Sequence, residues 1–528
     1  MGAFFATISS GPNVIFPSIS YRAIAPEGIL VIGALVIMLS TSLIPALKKP
    51  RIVGSMGVVV GLVGLGDVLS LWSNFVHHGA FRTVGGSITV DGFAIYLMIT
   101  IMCGVVLSAL AGQAYLSKSG IGIVEFQSLL LLSCTGALLL ISAGDLIVIF
   151  LGLEILSISL YVLTAFEKRN LTSGEAGIKY YVLGGFSSAI FLYGIALVYG
   201  GTGSTNIAKI ATYLSTYTLT SNGVLLAGLI LIIVGLGFKV AAAPFHVWTP
   251  DVYQGAPSAA TGFMASVAKA GAFAGLFRIL VAGFPMLRFD WTPIVWMLAA
   301  LSLVVGAVLA VVQSDLKRML AYSSINHAGF VLLGVVAGTA AGVSAALFYL
   351  LAYTFMVIGT FAIVNLFENP DEGTVTIEGL RGLSSTNPAV AFFLAVLLVA
   401  QAGAPLTTGL LAKLAVVAAV VKSHSYAIAV IAMLSAVVAT FFYLKVVAVV
   451  FSKPKLKNVF ESQKQTVMSD GSVLVIRDSE PLESVYPRKL KVLPESMIVI
   501  GISVGFTVIF GIFPNLLLEM ARSATILY

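Results

Sequence analysis

Apolar residues run through this chain in blocks of helical length separated by short polar breaks. Stretches such as LIVIFLGLEILSISLYVLTAF (146–166) and VLLAGLILIIVGLGFKVAAAPF (224–245) are continuously apolar. A membrane β-strand alternates polar and apolar residues over roughly ten positions, so the pattern excludes a barrel. A membrane-spanning helix needs roughly 20 apolar residues. About fourteen candidates meet that need, near 26–47, 52–74, 92–114, 124–142, 146–166, 174–200, 223–247, 256–284, 290–312, 317–338, 340–367, 388–421, 424–451 and 494–517. The expectation is an all-α polytopic membrane protein.

Composition supports this pattern. Of 528 residues 59% are hydrophobic and only 10% charged, with a mean hydropathy of +1.05. Soluble domains carry about 25% charged residues, so lipid is the solvent that suits most of the chain. The opening MGAFFATISSGPNVIF lacks a basic n-region and a small-residue cleavage site, and is expected to be mature sequence. Cys103 and Cys134 fall inside apolar runs and are expected to be buried residues, with no disulfide or metal framework.

The net charge of +7 could suggest nucleic acid, but in a membrane protein the distribution of cations matters more. Counted along the spans, the odd-numbered loops carry seventeen Lys and Arg, and the even-numbered loops and termini six. Cations retained on the cytoplasmic side place both termini outside. The one long hydrophilic insert, before the last span, is expected to be a cytoplasmic connector with a short hairpin at GSVLVI (471–476).

Charges inside apolar runs carry most of the functional information. Glu154, Lys179, Lys239, Lys269 and Lys413 each fall in one, at about 2.5–3.5 kcal/mol for a central charge on insertion scales. Glu154, Ser157 and Tyr161 give the fifth span a polar stripe at helical spacing. From the helical rise, Glu154 lies roughly 18 Å and Lys179 roughly 14 Å from the shared loop, so the two are expected to pair. Lys239 precedes Pro244 by five residues, and Lys413 follows Gly403 and Pro405. Broken helices are tolerated in lipid only where protein or water satisfies the freed backbone groups, and they mark ion sites in transporters. Broken spans seven and twelve, five apart, suggest two inverted five-helix repeats over spans 4–8 and 9–13. The expected organisation is 1–123 for spans one to three, 124–284 and 285–451 for the repeats, 452–493 for the loop and 494–528 for the last span.

Lys269 ends a stripe of Ser258, Gly262 and Ser266, and His327 lies about mid-membrane behind Ser323 and Ser324. A neutral imidazole donates with one nitrogen and accepts with the other, so His327 can relay a proton. His246 and Trp248 are expected to anchor at the interface. Lys445 and Arg278 are expected to snorkel. Glu167, Asp251, Asp315 and Glu368 are expected to be solvated loop or helix-end charges. No CxxC, facing His pair or phosphate-binding loop is present, so no metal, cofactor or redox chemistry is assigned to this chain.

The segment GLGFKVAAAPFHVWTPDVYQGAPSAATGFMASVAKAGAF resembles the antiporter-like membrane subunits of respiratory complex I, the proton-pumping NADH:quinone oxidoreductase, and most closely its subunit N members. GLEILSISLYVL, GEAGIKYYVLGGFSSAIFLYG and SDLKRMLAYSSINHAGFVLLG extend the resemblance over essentially the whole chain. It implies that Glu154 is the essential carboxylate, Lys179 its partner, Lys239 and Lys269 the central relay, His327 a link and Lys413 the terminal lysine. It also implies that FMN, iron–sulfur clusters and the quinone belong to partner subunits, with antiporter-like neighbours, in a bacterial inner (plasma) membrane. AQAGAPLTTGLLAK departs from the family's usual SLAGIP and GFxGK. An Mrp-type cation/proton antiporter subunit is the alternative reading, and a purely structural anchor a third.

Overall fold

The computed structural model describes residues 18–119, 122–167, 170–217, 223–368, 375–453, 464–467, 473–476, 490 and 492–524. Much of the 452–493 insert lies outside them, as do both chain ends. The insert's expected hairpin is partly described: β3 (Lys464–Val467) pairs antiparallel with β4 (Val473–Ile476). The other hairpin, β1 (Phe81–Thr83) with β2 (Ile88–Val90), follows the second helix.

The helices, in chain order, begin with α1 (Ala25–Leu43), α2 (Pro50–His78), α3 (Gly92–Ser119), α4 (Ile123–Ser142), α5 (Leu146–Thr164), α6 (Leu171–Thr202) and α7 (Ile207–Thr216). Then come α8 (Gly223–Lys239), α9 (Trp248–Gly255), α10 (Ser258–Phe263), α11 (Lys269–Phe277), α12 (Arg288–Val311), α13 (Leu316–Ala337) and α14 (Ala340–Phe367). The series closes with α15 (Leu383–Thr386), α16 (Pro388–Ala402), α17 (Thr408–Lys422), α18 (Tyr426–Phe451), α19 (Pro494–Ile512) and α20 (Asn515–Ser523). A wider turn at Met264–Ala268 joins α10 to α11, and another at Arg278–Gly283 extends them into one rod, Ser258–Gly283.

Among the described residues twelve helices are long and apolar enough to cross a membrane, and the shorter apolar α8 and α16 are the first halves of the two interrupted spans. Both interruptions fall where proline and glycine forbid a continuous ladder. Residues 240–247 around Pro244 separate α8 from α9, and residues 403–407 around Pro405 separate α16 from α17. Polar caps start the helices at the ends of the spans. Asp145, Asn170, Asp315 and Thr339 accept from backbone amides of α5, α6, α13 and α14, satisfying donors that a helix start leaves unpaired.

The rod Ser258–Gly283 and the apolar stretch of α14 are wholly buried within the protein, and α13 nearly so, whereas only about a third of the apolar stretch of α2 or α19 is covered. The layout is therefore a central axis of rod, α13 and α14 within a ring of helices whose outer faces are apolar. Leu35, Leu62, Phe186, Val308 and Val437 are all exposed on that ring, which suits lipid or neighbouring membrane helices and not water.

Several charges stand differently from expectation. Arg278 does not snorkel: it is 2% exposed and grips Asp91 at the start of α3 through two hydrogen bonds of 2.6 and 2.7 Å. Its Nε donates to the Ile141 carbonyl. A guanidinium held this far from water needs such a fork of acceptors. Asp315 is a buried cap, Glu368 pairs with buried Lys317, and Glu167 is buried, so none is a plain solvated charge. Lys445 is exposed, as expected of a snorkelling lysine.

Candidate functional site

The fifth span's polar stripe forms one wall of the first site. Lys239, the last residue of α8, is buried, and its Nζ donates to Ser157 Oγ (2.7 Å) and Tyr161 OH (3.1 Å). The rings of Tyr161, Tyr180 and Phe238 have their centroids 5.3, 5.7 and 5.7 Å from that nitrogen, a distance at which ring quadrupoles attract a cation. Glu154, one turn further along the stripe, acts on Lys239 electrostatically, and its Oε1 is buried with no hydrogen-bond partner.

Trp248 is no interfacial anchor. It is buried, stacks on Tyr180 with ring centroids 4.6 Å apart, and its Nε1 donates to the Phe238 carbonyl across the break. His246 is partly buried.

Lys179 does not pair with Glu154. It binds Glu175 (2.7 Å), one turn earlier on α6, and Asp251 (2.8 Å) on α9. Helix register is the reason. α5 and α6 pass closely where Gly177 faces Ala165 and Gly184 faces Tyr161. From the first of these contacts Glu154 lies eleven residues deeper and Lys179 only two, an axial offset of about 13 Å at 1.5 Å per residue. The depths expected from the sequence assumed that both helices begin at the same level. Asp251 also takes Arg318 on its other oxygen (2.6 Å). Burial alone would raise the Asp251 carboxyl, but Lys179 and Arg318 outweigh it and hold it below the usual range.

The second cluster lies along the central axis. Lys269, at the first turn of α11, donates to the Ser324 carbonyl (2.9 Å) and hydroxyl (2.6 Å). The Tyr253 hydroxyl is 3.5 Å from the same Ser324 Oγ. Next to it Ser323 bonds the Tyr443 hydroxyl. His327 joins Tyr443 through Nε2 (3.1 Å) and Tyr349 through Nδ1 (2.6 Å). Tyr443 reaches Gln401 Oε1 at 3.4 Å, and Gln401 donates to Thr360 (2.8 Å). Lys413 is buried on α17, and its Nζ donates to the Ala402 carbonyl (2.8 Å), which the second helix break leaves free, and lies 5.1 Å from the Phe330 ring centre.

Lys239 therefore has its own pocket, and the adjacent Ser323 and Ser324 hydroxyls bring Lys269 and the His327–Tyr443 pair into a second, while Lys413 holds the Ala402 carbonyl. Among the described residues no hydrogen bond joins the two. Tyr349, Tyr443 and Gln401 escaped sequence reasoning because an aromatic or amide in an apolar helix is ordinary core. Asp251 and Arg318 escaped it because they look like loop charges. Among the described residues no group of three His, Cys, Asp or Glu is placed to hold a metal ion.

Buried lysines within an all-helical bundle of apolar, partly interrupted spans define a polytopic membrane protein, and comparison with known sequences narrows it. The profile of the NADH:quinone oxidoreductase/Mrp antiporter transmembrane family matches residues 143–439. NADH-quinone oxidoreductase subunit N of Trichlorobacter lovleyi is 38% identical over 83% of this chain and 89% of its own. Its counterpart from Parafrankia sp. is 36% identical over 96% and 95%. This chain belongs to that family, the subunit N proteins of the NADH-quinone oxidoreductase complex. Among solved structures, a chain of respiratory complex I from Thermus thermophilus superposes with a TM-score of 0.74 at 28% identity, covering 95% of this chain and 100% of that one. A chain of the Mrp complex of Dietzia sp. gives 0.80 at 20% identity over 96% and 97%, a likeness of fold.

Proposed function

We propose that this chain carries protons across the membrane as a membrane-arm subunit of a proton-translocating NADH:quinone oxidoreductase, driven by redox chemistry in partner subunits. The observation that carries this reading is the set of three buried lysines, Lys239, Lys269 and Lys413, each bonded to hydroxyls or carbonyls and none to a carboxylate. A lysine so placed exchanges its proton as its surroundings change, because a buried ammonium has little to hold its charge beyond those dipoles. Arginine could not do this. Glu154 is the carboxylate that modulates Lys239, while Lys269, His327 and Lys413 extend the path along the membrane. Water bridges the gap between the two pockets, and Lys179 is the outermost cation of the path, at its cytoplasmic end. The break at Pro244 ends α8 at Lys239 and the break at Pro405 frees the Ala402 carbonyl for Lys413, as counterparts in two inverted repeats over 124–284 and 285–451.

By the same reading FMN, iron–sulfur clusters and quinone reside in partner subunits, and the chain lies in a bacterial plasma membrane with both termini outside. Glu154→Ala and Lys239→Ala should each impair proton pumping and coupled quinone reduction while the complex still assembles. Normal pumping by the assembled variants would reject the reading. The Mrp-like fold makes a Na+-coupled antiporter the competitor; vesicles that dissipate a Na+ gradient without NADH activity would favour it.

A further inference from the structure

Asp251 is absent from the proton path, yet its carboxylate joins three helices. One oxygen takes Lys179 of α6 at 2.8 Å, and the other takes Arg318 of α13 at 2.6 Å. Arg318 also donates to Gln254, one turn further along α9. The short α9 is thus fastened on both sides. It follows a break in which Pro244 removes a backbone donor, so the helix ladder of α8 does not hold it in place.

What α9 carries leads to Lys239 in two contacts. Trp248, its first residue, stacks on Tyr180 with planes 11° apart and donates to the carbonyl of Phe238. Tyr180 and Phe238 are two of the three rings set around the Lys239 nitrogen. Lys179 and Tyr180 are adjacent on α6, so the residue that binds Asp251 and the residue that lines the pocket move together.

We infer that Asp251 is a positioning residue for Lys239: by binding Lys179 and Arg318 with separate oxygens it clamps α9, and through Trp248 and Tyr180 it fixes the rings that surround the Lys239 ammonium. This rests on the proton-carrying reading of Lys239. It gives Lys179 a second role, away from Glu154. A carboxylate suits the task because it accepts on two sides at once, whereas an amide offers a single acceptor oxygen and no charge.

The test uses the assembled complex in membrane vesicles, with turnover and protons per NADH measured per assembled complex. Asp251→Asn should lower coupled turnover on the order of tenfold, with fewer protons per NADH. Asp251→Glu should recover most of both, and Arg318→Gln should reproduce the defect. A clamp that served only assembly would lower the amount of complex and leave protons per NADH unchanged, which would overturn the inference. So would wild-type pumping by assembled Asp251→Asn. Should Asp251→Asn fail to assemble, Arg318→Gln decides, since it opens the α13 side of the clamp while Lys179 keeps its counter-ion; normal pumping there overturns the proposal. Lys239→Ala separates the two layers. If it pumps normally, both readings fall; if it is impaired while Asp251→Asn is normal, this one falls alone.

Discussion

Individual side chains here do work that their residue type alone does not announce. Arg278 and Asp91 form a fully enclosed ion pair, and removing one partner from such a pair costs about 3–5 kcal/mol because the other charge is left buried. Asp91→Asn should therefore lower the thermal stability of the assembled complex markedly. Replacing both residues by apolar ones of similar volume should restore much of it, and a double variant no more stable than the single would argue against the pair. Tyr443 matters for connectivity. Its hydroxyl meets Ser323, His327 and Gln401, so Tyr443→Phe should keep the packing but remove the one group that joins those three. Proton pumping should drop while assembly, scored by native gel, is unchanged.

At the scale of elements, the two helix breaks matter most, because each lies beside a buried lysine, and the second leaves the Ala402 carbonyl to Lys413. Gly403 ends α16 at φ 100°, and a Cβ there would come within 3.2 Å of Lys413 Cδ. Backbone strain at such a position costs about 1–3 kcal/mol for a residue with a side chain. Gly403→Ala should accordingly displace Lys413 and reduce pumping by more than it reduces the amount of complex, as measured on vesicles normalised to assembled enzyme. The sequence showed both breaks because proline and glycine act locally. It missed how α5 and α6 slide past one another. That register is set by Gly177 against Ala165 and Gly184 against Tyr161, and it carries Lys179 from Glu154 to Asp251.

For the whole molecule, burial divides the helices into a covered axis and a ring with apolar outer faces, and Lys239, Lys269, His327 and Lys413 are all buried within it. The Asp251 clamp sits at the edge of this arrangement and gives a pH test with a definite sign. Its carboxyl is held below the ordinary value in the folded chain, so its contribution is complete above the unfolded value of about 3.9 and is lost only as pH falls through the lower, folded one. The difference in thermal midpoint between the native complex and Asp251→Asn should hold constant from pH 8 to pH 5. A gap that closes across that range would show that the clamp titrates earlier than its two cations allow.

The membrane-spanning helical character, both helix breaks and the burial of Lys239, Lys269 and Lys413 were legible in the amino-acid sequence. Each depends on a local quantity: the length of an apolar run, the missing donor of a proline, or the cost of a charge in lipid. Pairing was not legible. Which oxygen faces Lys239, Lys269 or Lys179 depends on the rotation and axial shift of one helix against another. Those follow from side chains packed across helix interfaces, and no single segment contains that information.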